Sequence, residues 1–101
     1  MYIAMNRFRI AAGREEDFER VWRERESLLD TVPGFLEFHL LRGATKDGVT
    51  PFVSHSRWES EAAFVAWTQS EAFAKAHRSG GTPPGVVMGP PQFEGFTSVK
   101  L

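Results

Sequence analysis

Two strand-like segments and the turn between them decide the fold: FLEFHLLRGATKDGVTPFVSHSRW, residues 35–58. Phe35–Arg42 and Phe52–Trp58 mix aromatic and aliphatic residues with polar ones over lengths typical of strands. Between them, Asp47-Gly48 favours a hairpin turn within a longer loop. We therefore expect two antiparallel strands that form a hairpin.

The segments on either side of this hairpin show strand and helix patterns in turn. After the first strand, apolar residues recur at helical spacing with acids in the first turn, as is typical of an amphipathic helix. The second helical region contains Ser60 and Ser70, which can each cap a helix, so we expect two short helices that meet near residues 68–70. The other expected elements are strand Tyr2–Ile10, helix Arg14–Asp30 and strand Gln92–Lys100.

The order of these elements, β-α-β-β-α-β, predicts an α+β domain of the ferredoxin-like class. Residues 1–101 would form a single domain, whose four-stranded antiparallel sheet carries the helices on one face. The opposite face would expose apolar side chains, for which we expect Ile3, Met5, Leu40 and Val53. Because an apolar face needs a cover, we expect a second copy of the chain there, in a homodimer.

Composition argues against several classes of function. The formal net charge is −1 and there is no run of basic residues, so neither nucleic acid nor an anionic membrane surface is an expected partner. The absence of cysteine removes disulfides, thiolate catalysis and Cys-ligated metal centres. Without a signal-peptide pattern or an apolar run of membrane-spanning length, the expected location is cytoplasmic. Nine phenylalanines and three tryptophans suggest an apolar cleft or an oligomer interface.

His77 is the first of four candidate ligand-site residues. It closes the stretch WTQSEAFAKAH, four residues after Phe73 on the same expected helix face, and precedes a loop rich in glycine and proline at 79–91. A histidine there either stabilises the helix end through the helix dipole or ligates haem iron. His39 and His55 have no acidic or cysteine partner at ligand spacing, and no serine hydrolase motif is present.

Asn6, Trp67 and Arg25 are the other three candidates. Asn6 lies in the first strand on the face shared with Ala4 and Phe8, where a buried amide needs a partner in the backbone or in a ligand. Trp67 lies ten residues before His77, about 15 Å along a straight helix, and belongs to the core or to a ligand site. Arg25 interrupts the apolar stripe of the first helix, so its guanidinium extends to water or meets an anion.

Asn6, Trp67 and His77 resemble the Asn/Trp/His trio of the IsdG-type haem-degrading monooxygenases. These belong to the antibiotic-biosynthesis-monooxygenase superfamily of dimeric ferredoxin-like proteins. The surrounding sequence is similar too, in VPGFLEFHLLR, SRWESEAAFVAW and SEAFAKAH. The resemblance covers nearly the whole chain; its WES…AF…W part marks only the broad superfamily, and the trio is more specific. The glycine- and proline-rich loop after His77 departs from it.

This resemblance implies a dimeric α/β barrel in which each subunit holds one haem, as cofactor and substrate, between its sheet and helices. His77 would be the axial ligand of the haem iron, Asn6 would hydrogen-bond the ligand on the distal side, and Trp67 would press the porphyrin out of plane. We add that Arg25 would face a propionate. With O2 and an unidentified electron donor, the porphyrin would be opened and iron released.

Two other functions stay open at this point. A cofactor-free monooxygenase of the same superfamily would act on a polycyclic phenol or quinol through Asn6 and Trp67, without need of an iron ligand at position 77. A non-catalytic dimer would bind haem or another ligand without turnover. Haem binding that depends on His77, followed by turnover with a reductant, distinguishes the three.

Overall fold

The computed structural model describes residues 1–24, 29–79 and 82–101, without the side chains of residues 76–79. Its elements are β1 (Tyr2–Ala11), α1 (Glu15–Glu24), a 3-10 turn (Leu29–Thr31), β2 (Phe35–Arg42), β3 (Val49–Trp58), α2 (Glu61–Thr68), α3 (Glu71–Ser79) and β4 (Gln92–Thr97). The strands form one antiparallel sheet in the order β2-β3-β1-β4, which is the ferredoxin-like topology. The predicted fold class is confirmed.

The first helical segment differs from the predicted helix 14–30. Residues 25–28, which include the candidate Arg25, lie outside the described residues. Beyond them Asp30 belongs to a 3-10 turn, so the prediction that it is α-helical is wrong. The Val32 N–H donates a hydrogen bond to the Leu29 carbonyl at 2.9 Å, which closes this turn. Gly34, with a φ of 84°, then redirects the chain into β2.

The β2–β3 hairpin is confirmed, and its turn is tighter than expected. Asp47 and Gly48 adopt positive φ values of 53° and 79°, and Lys46 and Val49 exchange main-chain hydrogen bonds of 2.8 and 3.0 Å. Strand β3 begins at Val49 rather than Phe52, because its first residues pair with β1 instead of β2.

A β-bulge between Phe35 and Glu37 determines which side chains of β2 face the helices. The bulge lets Phe35 and Phe38 lie on the same side, and alternation then turns Leu40 to that side as well. Leu40 packs against a core cluster beneath α1. The prediction that Leu40 lies on the opposite face is therefore wrong.

The core between sheet and helices is divided into two clusters. The α1 cluster consists of buried Ile10, Phe18, Phe52 and Val86, with Phe8, Trp22, Leu40 and Val87 packed against them. The α2 cluster consists of buried Tyr2, Ala4 and Trp58, with Leu29, Val32, Phe35, Ala63, Phe64 and Trp67 packed against them. Each helical region therefore covers its own half of the sheet.

The loop predicted at 79–91 supplies a core residue. Val86 is fully buried in the α1 cluster, and its carbonyl accepts the Ala11 N–H at 3.0 Å. Two residues later, the Met88 N–H donates to the Arg9 carbonyl at 2.7 Å. These contacts hold this part of the loop against the last residues of β1, which β4 does not reach.

The outer face of the sheet, away from the helices, combines apolar side chains with ion pairs. Its apolar residues include Ile3, Met5, Leu41, Val53 and Phe96. The ion pairs of this face include Arg7–Glu94 and Arg57–Glu37, the second at 2.8 Å. In the described ranges, no helix has the length and apolar character that crossing a membrane requires.

Candidate functional site

Asn6 of β1 lies directly opposite Ser54 of β3, and both are on the side of the sheet that faces the helices. Neither belongs to the α1 cluster or the α2 cluster, so the pair marks the division between the two halves of the core. Leu40 of β2 and Phe93 of β4 continue this line across the sheet. We call these four residues the central row; its middle is polar and its ends are apolar.

The side-chain amide of Asn6 has no hydrogen-bond partner within the described part of the chain, although the residue is half-buried. By contrast, Ser56 on the same face donates to the Ala4 carbonyl at 3.3 Å and accepts the Trp58 indole N–H at 2.9 Å. The Asn6 amide therefore remains available to a ligand.

Trp67 lies at the end of α2 and packs among other aromatic rings. Its ring centroid is 5.4 Å from that of Trp58, and Phe73 of α3 meets it edge-on at 4.8 Å. The predicted break between the two short helices is confirmed at Ser70, whose hydroxyl donates to the Trp67 carbonyl at 2.6 Å and accepts the Phe73 N–H at 3.2 Å. Ser70 thereby fixes how α3 leaves α2.

Trp67 lies in the α2 half of the helix-facing surface, whereas Asn6 lies in its central row. Trp67 packs over Trp58, which pairs with Tyr2, and Asn6 follows Tyr2 by four residues along β1. At about 3.3 Å per strand residue, Tyr2 and Asn6 are about 13 Å apart along the strand. The structure thus places the two candidates on one face without bringing them into contact.

The remaining two candidates are only partly described or not described. His77 lies in the last turn of α3, and its side chain is outside the described part of the structure. Arg25 is outside it altogether. Their assignments therefore remain predictions from the sequence.

An open groove of about 500 Å³ borders the central row on the side of α1. This volume is typical of small-molecule sites. The groove is lined by Glu19, Trp22, Arg23, Phe38, Leu40, Arg42 and Phe52. Trp22 and Phe38 stack with ring centroids 5.5 Å apart and planes inclined by 26°.

The rim of this groove carries two guanidinium groups and one carboxylate. Glu19 accepts a hydrogen bond from Arg42 at 3.0 Å and lies 3.7 Å from Arg23. An apolar floor with a cationic rim suits a flat apolar molecule that carries carboxylates.

Ser54, Arg23 and Arg42 were not predicted as site residues from the sequence. Alternation with the inward-facing Phe52 would have placed Ser54 in the core face, where a hydroxyl is unusual. Alternation along β2 after the bulge would likewise have turned Arg42 inward. For Arg23, we find no comparable signal in the sequence.

His39 and His55 are cross-strand neighbours on the outer face, with ring centroids 6.3 Å apart. His39 Nε2 lies 3.7 Å from Glu37, and His55 Nδ1 is buried without a hydrogen-bond partner among the described residues. Within those same residues, no group of three or more His, Asp or Glu side chains is arranged to hold a metal ion. The pair is on the opposite side of the sheet from the central row.

Two relatives are similar in sequence over part of the chain. A heme-degrading monooxygenase of Shouchella clausii is 36% identical over 61 residues, which make up 60% of this chain and 57% of that protein. A mycobilin-producing heme oxygenase of Mycobacterium tuberculosis is 33% identical over 72 residues, or 71% of this chain and 67% of that protein. The matched region is therefore little more than half of the first relative and about two thirds of the second.

Solved structures match nearly the whole chain. The heme-degrader MhuD of Mycobacterium tuberculosis, with two hemes bound in its active site, is 27% identical, with a TM-score of 0.75 over 99% of this chain and 97% of that chain. An antibiotic biosynthesis monooxygenase of Bacillus cereus is 26% identical, with a TM-score of 0.75 over 100% and 95% of the two chains. The sequence pattern of the family described as antibiotic biosynthesis monooxygenase matches residues 1–79. The chain belongs to the antibiotic biosynthesis monooxygenase family.

Proposed function

We propose that this chain is a haem-degrading monooxygenase, which binds haem and opens the porphyrin with O2 and electrons to release iron. The observation that carries the proposal is the half-buried Asn6 amide, which faces the helices between the two core clusters and has no partner in the described structure. The names of the relatives from Shouchella clausii and Mycobacterium tuberculosis support the same function.

The described residues fit a haem on the helix-facing side of the sheet. Leu40 and Phe93 provide apolar surface at the two ends of the central row. Arg23 and Arg42, which both pair with Glu19 at the rim of the groove, would supply cations for the propionates, and we propose Arg25 as a further propionate partner.

We propose that His77 would ligate the haem iron. The residue lies one helical turn beyond Phe73, whose ring contacts Trp67, and the i, i+4 spacing predicts that the two side chains share a face of α3. A neutral imidazole nitrogen is a common haem ligand. Bound haem supplies the iron at which O2 and electrons open the macrocycle.

Asn6 and Trp67 would each contact the bound haem or its ligand. The Asn6 amide nitrogen would donate a hydrogen bond to the ligand, and the amide does not titrate, so its capacity to donate does not change with pH. Trp67, which packs against Trp58 and Phe73, would press its indole against the porphyrin.

The proposal includes a homodimer, an electron donor and a cytoplasmic location. The apolar residues of the outer face, among them the exposed Leu41 and Phe96, would be covered by a second copy of the chain. Ring opening consumes electrons, which a soluble reductant of the cytoplasm would supply. Sedimentation of the wild type and Leu41→Lys tests the dimer: the variant should sediment as a monomer.

A hemin titration followed by turnover tests the function. We expect a Soret band on hemin binding that is lost in His77→Ala and kept in His39→Ala, which removes an imidazole from the outer face. Ascorbate in air, with catalase present to remove peroxide, should then bleach the band. A bound but unbleached haem would instead indicate a carrier, and no binding would favour a phenol or quinol oxygenase. A Soret band retained unchanged in His77→Ala would contradict the ligand assignment.

A further inference from the structure

We infer that the Ser54 hydroxyl is a second hydrogen-bonding group of the haem cleft, which acts with the Asn6 amide on the same oxygen ligand. This inference rests on the proposed function. Ser54 would then help to position the ligand, although the sequence pattern alone predicts only a core residue at this place in the sheet.

The first observation concerns the hydroxyl groups on the helix-facing side of β3. Thr50, Ser54 and Ser56 are all buried there, with Ser54 only 7% exposed. Thr50 donates to Glu15 at 2.7 Å and shares a hydrogen bond with Thr45 at 2.6 Å. Ser56 bonds to a main-chain carbonyl of β1 and accepts an indole N–H. Of the three, Ser54 alone has no hydrogen-bond partner in the described ranges.

The second observation is the position of Ser54 opposite Asn6. Directly paired residues of antiparallel strands have Cβ atoms about 4.5–5.5 Å apart, so both polar groups face one small space. Neither side chain bonds to the other or to another described residue. A ligand oxygen in that space would be within reach of an amide donor and a hydroxyl donor together.

The third observation is the surroundings of this pair. The neighbouring inward-facing position on β3, Phe52, lies in the α1 cluster, and Phe8 opposite it packs against the same cluster. An apolar residue at position 54 would extend that cluster, whereas serine places a hydroxyl donor beside the Asn6 amide. A ligand that accepts its hydrogen bond accounts for a polar group here.

Ser54→Thr and Ser54→Val form a matched pair for the test, because threonine and valine have nearly the same shape and differ in the hydroxyl. Azide binding to the ferric haem complex reports hydrogen-bond donors beside the ligand. We expect Ser54→Val to bind azide about threefold more weakly than Ser54→Thr. In the ferrous carbon monoxide complex, the C–O stretch should shift to higher wavenumber in Ser54→Val only.

The stability of the haem-free protein provides a second, independent readout. Ser54→Ala should unfold at the same temperature as the wild type or higher, because the hydroxyl has no internal partner. Ser56→Ala, the matched control on the same strand face, should unfold at a lower temperature, because the Trp58 indole loses its acceptor. Equal losses in both variants would show that Ser54 has an internal partner and would overturn the inference.

The two proposals fail in distinguishable ways. A wild-type protein that binds no hemin overturns the proposed function. Hemin binding with equal azide affinities and equal C–O stretches in Ser54→Thr and Ser54→Val overturns the role of Ser54 and leaves the function standing.

Discussion

Asn6 and Ser54 face each other across strands β1 and β3, and neither side chain is satisfied by any residue that the structure describes. The pair interrupts a core that is apolar on both sides, from Phe18 of α1 and Phe52 beneath it to Trp58 and its neighbours beneath α2. A ligand oxygen in this polar break would be within reach of both donors.

Asn6→Ala should retain haem but open it about tenfold more slowly, because the loss of one hydrogen-bond donor costs about 1.4 kcal/mol. Single-turnover bleaching of the Soret band with ascorbate measures the rate. Gln92→Ala is the control, since it removes an exposed amide from the adjacent strand β4. Equal rates in the wild type and Asn6→Ala would contradict the assignment of the amide.

Trp67→Phe should fold and bind haem, while Trp67→Ala should lose about 3 kcal/mol of unfolding free energy. The reason is that the indole packs against Trp58 and Phe73, and a phenyl ring keeps part of that contact. Urea unfolding measures the stability of both variants. If Trp67 also presses on the porphyrin, Trp67→Phe should slow ring opening although the protein remains folded and binds haem. An unchanged rate would make Trp67 a core residue only.

Gly34→Ala should be strongly destabilising, because two effects combine at this position. Gly34 has a positive φ of 84°, and a Cβ there would meet the Ala63 Cβ of α2 at 2.5 Å. We expect a loss of about 2–4 kcal/mol, the sum of left-handed strain and overpacking. Gly48→Ala isolates the strain, since Gly48 has a φ of 79° and nothing within 4 Å of such a Cβ. Similar losses in the two variants would refute the Ala63 contact.

Glu15 should make stability depend on acid pH. The hydrogen bond from Thr50 lowers the pKa of Glu15 in the folded protein below its ordinary value of 4.5. The unfolded chain therefore binds a proton at this carboxyl group more readily than the folded protein does. The stabilisation contributed by the charged Glu15 carboxylate is complete above the ordinary pKa and is lost as the pH falls through the pKa of the folded protein.

Glu15→Gln should accordingly melt below the wild type at neutral pH, and the difference should shrink as the pH falls below about 4.5. Melting temperatures of the wild type and Glu15→Gln, recorded from neutral pH to below about 4.5, measure this difference. Glu16→Gln, one residue further along α1, is the control for the loss of one negative charge from the first turn of the helix. A difference that stays constant with pH would exclude the Thr50–Glu15 hydrogen bond as its cause.

Val86→Ala should destabilise the protein by about 2 kcal/mol, because it opens a cavity in the α1 cluster. Val99→Ala, at a residue that is 78% exposed, should stay within about 0.5 kcal/mol of the wild type. Urea unfolding measures the free energy of unfolding of both variants. An equally small effect at Val86 would mean that this part of the loop does not contribute to the core.

The element order could be predicted from the sequence because it depends on local signals. The bounds of β2 agree with the predicted segment Phe35–Arg42, and the serine caps place the break between α2 and α3. The orientation of Leu40 could not be predicted, because a single bulge reverses the alternation of every residue after it. Val86 was missed because glycine and proline neighbours concealed a core residue within a loop.

The site was only partly predictable for a related reason. Asn6 was identified because an amide is conspicuous in an apolar strand. Ser54 was not, since FVSHSRW alternates serine with other polar residues, and only the register with β1 shows which serine faces the amide. Arg42 and the groove depend on the approach of α1 to β2, which no short stretch of sequence encodes.

The central claim, that this protein opens haem, is tested most directly by mass spectrometry of the tetrapyrrole after incubation with hemin, ascorbate and catalase in air. We predict an oxygenated, iron-free open-chain tetrapyrrole that forms with the wild type and not with His77→Ala, together with iron that a ferrous chelator detects. Recovery of intact haem alone, from a protein that has bound it, would contradict the claim.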